Sequence, residues 1–325
     1  MRIAVLYSFE PQAGIIDGFK NLGHQVECFY YGKVKVTLLR RLEWKIFKNI
    51  DKYFTINFNN EIQKIYKSHK ENEFDLLLII KGKKISKSNI EVLKSMNSTF
   101  KILWTTDSVI RFPEQLSIEK LVDKVYVQDG VDVNLISNSE WLPLGFDSKL
   151  YKKINQKDID ILFFGNCDNK HYKLREKYFV EASKLGKQYN IKFVGSNLSK
   201  KATVILRNNE VELIDLVPFS EFTSLVSRSK IAINIHQDDG DWAINPLFFA
   251  IPACGTIQVT DIREYYNLWL ETGTDFYPVE LKHLNNKLKS IISNFDKYKI
   301  NVDKIINQHS FKSRAKKLLE NKDKN

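Results

Sequence analysis

The stretch KIAINIHQDDGDWAINPLFFAIPACGTIQVTD, residues 230–261, decides the fold. An apolar run, KIAINIH, predicts a buried strand, and an acidic loop, an apolar helical turn and a second strand, TIQVTD, follow it. Strand, helix and strand in this order form a crossover between parallel strands. The turn ends in Ala253, Cys254 and Gly255, whose small side chains let the chain pack closely and enter the next strand.

The same alternation extends outward along the whole chain. Further apolar strands are predicted in the runs RIAVLY (2–7), QVECFYY (25–31), FDLLLIIKG (74–82), FKILWTTD (100–107), KVYVQD (124–129), DIDILFFGN (158–166) and NIKFVGS (190–196). Helices are predicted at 14–22, 60–69, 89–96, 172–186 and 220–229. Continuous apolar strands alternating with helices indicate parallel sheets covered on both faces. A polar stretch at 149–158 separates two series. The sequence therefore predicts an α/β fold of two Rossmann-like domains, 1–150 and 151–310, with a helical tail at 311–325.

Length and composition limit the class of protein. The 325 residues are 43% hydrophobic, which suffices for two folded domains. No run approaches the roughly 20 apolar residues of a membrane span, and the first residues do not resemble a signal peptide. The three cysteines lie far apart without a CxxC pair, which favours reduced thiols over disulfides or a zinc site. These features predict a cytoplasmic protein.

The positive charge is concentrated in one part of the chain. The net charge is +11, and residues 33–101 hold 16 Lys and Arg against 7 Asp and Glu, a net +9. Two readings stay open: a solvated lysine-rich face, or a surface for an anionic partner such as nucleic acid, a glycan or lipid. The segment GKVKVTLLRRLEWKIFKN (32–49) adds apolar residues at near-helical spacing. It fits either a peripheral membrane or phosphate-backbone contact or a helix packed by its apolar face.

Several candidate ligand residues follow predicted strands. Gly165 and Asn166 end one strand, Gly195 ends the next, and His236 ends the strand before the acidic loop. A glycine at a strand end lets the backbone approach a ligand, and loop N–H groups can bind phosphate. The helix starting near Asn245 offers a partly positive N-terminus to phosphate. The alternative reading is an ordinary crossover, with His236 bonded to nearby backbone.

Asp107 is the candidate catalytic carboxylate, because it ends a buried strand of the first domain. Such a carboxylate can act as a general base toward a hydroxyl group, although a turn-capping aspartate gives the same pattern. Arg111 follows it closely and is a candidate for binding acceptor or phosphate. The residues Asp239, Gly240 and Asp241 also match a DxD metal motif, but this motif belongs in a first nucleotide-binding half, so a polar loop is the preferred reading.

The chain resembles the GT-B glycosyltransferases of the CgeB-type, spore maturation protein-like family. That family has Asn-Pro-Arg-x-Phe-Glu-x-x-Ala-Cys-Gly where this chain has NPLFFAIPACG (245–255). The motifs ILWTTD (102–107), WLPLGFDSKLY (141–151) and ILFFGN (161–166), with Arg175 on the following helix, agree in order and spacing. A weaker similarity, the Thr-Asp-x-x-x-x-Phe context of Asp107, links the chain to phage DNA β-glucosyltransferases.

The resemblance implies a two-domain GT-B enzyme whose domains face each other across a cleft. It implies a nucleotide-sugar donor, most simply a UDP-sugar, with leaving-group charge met by backbone N–H groups and arginine and with no required metal. The implied donor-binding residues are Gly165, Asn166, Arg175, Gly195, His236, Asn245, Cys254 and Gly255. Arg111, Lys81 and Lys83 are the implied acceptor-binding residues, and Asp107 is the implied base.

Two departures from the family pattern concern the donor. The family arginine is Leu247 here and the family glutamate is Ala250, and neither apolar side chain can bind phosphate or ribose. Loss of one charge-assisted hydrogen bond weakens binding by about 1.5–3 kcal/mol. Either other residues compensate, or the donor is unusual, or donor binding is weakened. The acceptor is a separate question, with a surface or spore-coat glycan, a protein or hydroxymethylated DNA as the options. The two departures also motivate a non-catalytic module that binds sugar nucleotides or glycans.

Overall fold

The chain folds into two compact units. The computed structural model describes residues 1–32, 50–168, 170, 172–237, 242–320 and 322. The first unit comprises Met1–Leu144 and Arg314–Asn325, and the second comprises Gly145–Ser313. None of the described helices is long and apolar enough to cross a membrane.

The first unit contains a six-stranded sheet in which every pair of neighbours is parallel. Its strands are β1 (Arg2–Tyr7), β2 (Gln25–Tyr30), β3 (Leu76–Ile80), β4 (Phe100–Trp104), β5 (Lys124–Val127) and β6 (Ser139–Trp141). Its described helices before residue 144 are α1 (Gly14–Lys20), α2 (Ile50–Glu71) and α3 (Lys87–Ser95). The strand order is β2-β1-β3-β4-β5-β6, so the order reverses between β1 and β3.

The hydrophobic core of this unit is formed by buried residues of its strands and by one face of α2. All five residues of β3 are buried, as expected for a central parallel strand covered on both faces. Helix α2 buries Phe58, Ile62 and Ile65, which share one face because they are spaced by four and three residues. These side chains pack in one cluster with Leu77 and Ile79 of β3. Helix α2 begins earlier than the predicted 60–69 segment.

The second unit contains a second six-stranded parallel sheet. Its strands are β7 (Ile159–Asn166), β8 (Ile191–Ser196), β9 (Glu212–Ile214), β10 (Ser229–Asn234), β11 (Ile257–Thr260) and β12 (Phe276–Pro278). Its helices are α4 (Lys173–Ser183), α5 (Lys200–Asn208), α6 (Phe219–Arg228), α7 (Leu247–Ala253), α8 (Leu284–Ser293) and α9 (Val302–His309). The strand order is β12-β11-β10-β7-β8-β9. The prediction of two Rossmann-like α/β domains is confirmed.

The strand order locates a crevice in the second unit. From β7, one series of crossovers runs toward β9 and the other runs toward β12, so the order reverses between β7 and β10. In open α/β sheets, ligands bind at such a switch point, outside the carboxyl ends of the strands. We call the side of a sheet where its parallel strands end the carboxyl edge.

The final helix, α10 (Phe311–Glu320), contributes to the first unit from Arg314 onward. Arg314 is buried and its Nε donates to the carbonyl oxygen of Pro143 at 2.7 Å. Lys317 forms an ion pair with Glu140 at 3.1 Å. These contacts join the segment to the end of the first sheet, whereas the sequence predicts a separate tail. The boundary also falls after Leu144 rather than after residue 150.

Candidate functional site

Arg175 occupies the switch point of the second sheet. It lies in the first turn of α4, and its side chain reaches the carbonyl oxygens that end β7 and follow β10. Nη1 donates to Asn166 O at 2.8 Å, while Nη2 and Nε donate to Ile235 O at 2.6 and 3.1 Å. The guanidinium therefore joins the two strands on either side of the crevice.

Two glycines make room for this arrangement. Gly165 has φ +126°, and a Cβ placed on it would lie 2.7 Å from Nη1 of Arg175. Gly195 pairs in register with Gly165, and its Cβ would lie 2.1 Å from Gly165 O, which is main chain and cannot move aside. The sequence predicts ligand contacts for both residues. The structure shows that each is required for close packing beside Arg175.

Arg175 carries a positive charge that no described carboxylate neutralises at ion-pair distance. Its Cζ lies 4.0 Å from the ring centroid of Tyr172, whose hydroxyl donates to Gln237 Oε1 at 3.3 Å. Burial lowers the pKa of Arg175, although an arginine stays protonated at neutral pH. A guanidinium has five N–H groups, and three are used here. One N–H on each terminal nitrogen remains for an anionic ligand.

Asn166 connects the loops that follow β7 and β8. Its Oδ1 accepts from Asp168 N at 3.0 Å and from Asn197 Nδ2 at 2.9 Å. Asn197 has φ +59°, a conformation that asparagine tolerates better than most residues. Asn166 therefore shapes the loops at the crevice through its side chain, and its carbonyl oxygen holds Arg175.

His236 belongs to a buried network rather than to the surface. Its Nδ1 lies 2.5 Å from the Tyr266 hydroxyl, which donates to Asp261 Oδ1 at 3.1 Å. Since that hydroxyl has one proton, the second bond places a proton on Nδ1 of His236. Burial lowers the pKa of His236, so its ring is neutral, and Nε2 has no hydrogen-bond partner among the described residues. With only 3% of the residue exposed, His236 presents no ring face to solvent.

Asp261 anchors the other end of this network. Its Oδ2 accepts from Arg263 Nε at 2.7 Å, and its Oδ1 accepts from the N–H of His236 at 3.2 Å. Burial raises the pKa of Asp261, but His236 and Arg263 lower it more strongly, so it lies well below its usual range. Tyr266, Asp261 and Arg263 belong to no motif that the sequence predicts as a site. The aspartate that ends TIQVTD is the signal that points to them.

Asn245 fixes the start of α7 through a cluster of buried amides. It exchanges hydrogen bonds with Asn234, and Asn234 Nδ2 also donates to Gln258 Oε1 at 2.8 Å. Asn245 Oδ1 accepts from the N–H of Phe248 at 3.1 Å, which caps the helix. Ala250, at the position of the family glutamate, is fully buried. Asn245 therefore satisfies the helix start itself, and the sequence analysis missed Asn234 and Gln258.

Cys254 and Gly255 lie at the opposite end of α7 from Asn245. They immediately precede β11, so they sit at the edge where strands begin rather than at the carboxyl edge. The Cys254 thiol is buried and accepts from Ser227 Oγ at 3.3 Å, and burial raises its pKa to about 11. Gly255 has φ +64° and ends the helix. All three cysteines are free thiols. The structure gives Cys254 and Gly255 a packing role, in place of the expected donor contact.

The first unit brings Asp107 together with two cations at its own carboxyl edge. Lys81 Nζ lies 2.7 Å from Asp107 Oδ2, and Arg111 Nη2 lies 2.8 Å from Oδ1. Burial raises the pKa of Asp107, but the two cations lower it more, and it lies below its usual range. Both cations also lie within 5 Å of the ring centroid of Phe112. The expected base and two expected acceptor residues thus form one cluster.

Lys81 has a left-handed backbone, with φ +56°. Such a conformation is strained for a residue with a side chain, and strain of this kind concentrates at functional sites. The Tyr31 hydroxyl supports it by bonding to the carbonyl oxygens of Ile80, at 3.1 Å, and of Lys81. Lys83 differs from Lys81, because it is 5% exposed and paired with Glu114 at 2.9 Å. The structure does not present Lys83 to an acceptor.

Two expectations fall outside the described residues. The DxD alternative at Asp239, Gly240 and Asp241 lies within residues 238–241, and the basic amphipathic segment 32–49 lies, apart from Gly32, within residues 33–49.

Known proteins share this architecture. Residues 175–320 match the family described as glycosyl transferase-like. The match begins at Arg175, covers most of the second unit and continues into the final helix, so this part of the chain is similar to that family. No curated protein matches the chain.

Solved structures agree over the whole length. Sucrose-phosphate synthase from Thermosynechococcus elongatus has a TM-score of 0.64 at 10% identity, with 98% of both chains covered. A glycosyltransferase from Rickettsia africae has a TM-score of 0.64 at 13% identity, covering 99% of this chain and 98% of that one. UDP-GlcNAc 2-epimerase from Neisseria meningitidis, bound to UDP-GlcNAc, has a TM-score of 0.60 at 13% identity, with 100% of both chains covered.

The fold is GT-B, as predicted. Identities this low establish the fold alone, and this fold serves both transferases and an epimerase among these structures. The CgeB-type subfamily and the likeness to phage DNA glucosyltransferases stay predictions.

Proposed function

We propose that this protein transfers a sugar from a nucleotide-sugar donor, and that Arg175 binds the donor's diphosphate. The observation that carries the proposal is the position of Arg175 at the switch point, with two N–H groups left over and no described carboxylate against it. A guanidinium in this state suits an anionic ligand with two oxygens. The glycosyl transferase-like match and a structural neighbour bound to UDP-GlcNAc support a UDP-sugar.

Asp107 is the proposed general base for an acceptor hydroxyl. Its carboxylate is ionised at neutral pH, so it can accept a proton, but Lys81 and Arg111 weaken it as a base. An anionic acceptor that draws one cation away raises the pKa of Asp107. This coupling gives Lys81 and Arg111 a role in acceptor binding that suits a phosphate or carboxylate on the acceptor.

The donor site is tested by calorimetry with UDP, GDP, ADP and their hexose conjugates. We expect Arg175→Gln to weaken the best ligand by about 10–100-fold, since a hydrogen bond to a charged group contributes about 1.5–3 kcal/mol. Arg228→Gln is the matched control, because Arg228 pairs with Asp158 in the same unit and faces no proposed ligand. Failure of the wild-type protein to bind any nucleotide in the panel would contradict the proposal.

A second candidate, a binding module without turnover, is favoured by the state of Asp107. Both carboxylate oxygens are held by cations, as in an ion pair that only stabilises the fold. Thermal stabilisation by a nucleotide sugar without product or hydrolysis across an acceptor panel identifies the binding module. Product formation identifies the transferase.

The acceptor is a glycan, a protein or modified DNA in this proposal. Salt-dependent binding to duplex DNA separates them, because neutralising phosphates makes affinity fall steeply with salt. No binding at low salt excludes DNA as the acceptor.

A further inference from the structure

An aromatic pocket opens on the second unit beside the switch point. It has a volume of about 390 Å³ and is lined by Trp242, Arg263, Glu264, Tyr265 and Leu268. Trp242 follows β10 and the others follow β11, so the pocket belongs to the carboxyl edge. Trp242 is 41% exposed, which is unusual for an indole and leaves part of the ring available for contact.

The pocket is held together by contacts between its two loops. The rings of Trp242 and Tyr265 stack, with centroids 5.8 Å apart and planes 18° apart. Tyr265 is 6% exposed, and its hydroxyl donates to the carbonyl oxygen of Ala243, next to Trp242, at 3.3 Å. One face of the indole is therefore backed by a buried ring, and the indole position is fixed before any ligand arrives.

The pocket lies close to the proposed diphosphate site. Arg175 donates to Ile235 O, and Arg263 Nη2 donates to Gln237 O at 3.0 Å. These two carbonyl groups are two residues apart, so at most roughly 7 Å of chain separates them. Arg175 and the pocket residue Arg263 thus contact the same short segment after β10, which is the basis for placing the pocket beside a diphosphate held by Arg175.

The charges around the pocket disfavour an anion. Arg263 is already paired with Asp261 at 2.7 Å, and the exposed Glu264 adds a carboxylate at the rim. Such a site suits a neutral ligand with a flat apolar face and hydroxyl groups that bond to carboxylate and guanidinium. A hexopyranose has both features, since its ring C–H groups form an apolar face.

We propose that this pocket binds the hexopyranose ring of the donor, with the ring stacked on Trp242. The assignment rests on the proposed function, because the donor's diphosphate at Arg175 delivers the sugar. Trp242 then determines which donor sugar is accepted, while Arg175 binds the diphosphate common to all donors.

The experiment compares UDP with UDP-glucose by calorimetry on wild type, Trp242→Ala and Trp242→Phe. We expect Trp242→Ala to change the affinity for UDP less than twofold. The affinity for UDP-glucose is expected to fall about tenfold, which is the scale of one aromatic contact. Trp242→Phe is expected to retain most of the affinity for UDP-glucose, because phenylalanine also presents an aromatic face. Leu216→Ala is the control, since Leu216 is 76% exposed in the same unit but follows β9.

The outcomes separate this inference from the proposed function. Equal loss of UDP and UDP-glucose binding overturns the inference, because it indicates that the pocket binds the nucleobase. An effect on the KM of the acceptor alone also overturns it, because it indicates that the pocket binds the acceptor. Unchanged binding of both ligands also overturns it. A wild-type protein that binds none of the nucleotides and hexose conjugates in the panel above defeats the proposed function first. Trp242→Phe covers the case in which Trp242→Ala does not fold.

Discussion

The two carboxyl edges of this protein use cations in opposite ways. In the first unit, Lys81 and Arg111 share one carboxylate, Asp107, so both cations are already paired, although the three groups together keep one net positive charge. In the second unit, Arg175 is held by the carbonyl oxygens of Asn166 and Ile235, which fix its position and leave its charge in place. Neutral carbonyl groups thus fix the position of a cation without neutralising it, so that it can bind an anionic ligand. A carboxylate that is paired with the cation competes with such a ligand.

This contrast also fits the two proposed roles, which are diphosphate binding by Arg175 and general-base catalysis by Asp107. A diphosphate carries its charge at all times and needs a cation that is ready for it. A general base needs a carboxylate whose basicity responds to what binds beside it. Three variants test the contrast.

The largest effect is expected from Asp107→Asn. We expect turnover to fall by about 100- to 10,000-fold, the usual contribution of a general base. Affinity for UDP is expected to stay within twofold, because Arg175 lies in the other unit. Steady-state kinetics with calorimetry checks both. Unchanged turnover would remove Asp107 from the mechanism and leave it as an ion-pair partner.

Gly165→Ala tests the second edge without changing any charge. The new Cβ would lie 2.7 Å from Nη1 of Arg175 and displace it, so we expect UDP affinity to fall by about tenfold. Gly273→Ala is the matched control. Gly273 has φ +82° in the same unit, but a Cβ there meets nothing within 4 Å. Both variants carry backbone strain of about 1–3 kcal/mol. An equal loss of UDP affinity in both would show that strain, rather than Arg175, is responsible.

The smallest effect concerns the loop that follows Asp107. Asp132 is buried and accepts from Val109 N at 2.9 Å and from Ser108 Oγ at 3.2 Å. Burial raises the pKa of Asp132 from 3.8 to about 6. Between these values the folded state binds more protons than the unfolded state, so stability decreases as pH rises through this window.

We expect Asp132→Asn to remove this decrease, which amounts to about 1–3 kcal/mol. Asn keeps one side-chain oxygen for the loop and has no charge to desolvate. Thermal melts of both proteins between pH 4 and pH 7 make the comparison. Parallel profiles for the two proteins would mean that Asp132 titrates normally in the fold.

The sequence predicts the elements well and the tertiary connections poorly. Apolar strands such as FDLLLIIKG are visible because a central parallel strand is buried on both faces, and the structure has β3 there. The start of α2 at Ile50 was missed, although Asn49, just before it in the sequence, is a residue type that favours helix starts. The strand orders depend on pairings between distant segments and leave no local pattern.

In the candidate site too, residues that share a local pattern are predicted from the sequence, whereas pairings between distant residues are not. Gly165 and Arg175 lie together as the strand–loop–helix pattern and the family resemblance predict, although their ligand role stays a prediction. The pair of Asn234 and Gln258 was missed, since 24 residues separate them and each alone is one polar residue in an apolar strand. Cys254 was carried over from the resemblance. Its position at the far end of α7, where it packs against Ser227, is away from the carboxyl edge, and its donor role stays a prediction.

The first unit draws on two separate parts of the chain, because the segment from Arg314 joins Met1–Leu144. On the ribosome, the second unit has all its residues once Ser313 has emerged, whereas the first must wait for Arg314 to reach Pro143. The unit that is translated first is therefore completed last. Until then, its sheet lacks the contacts that α10 makes with Pro143 and Glu140, and partly folded intermediates of this kind are prone to misfolding.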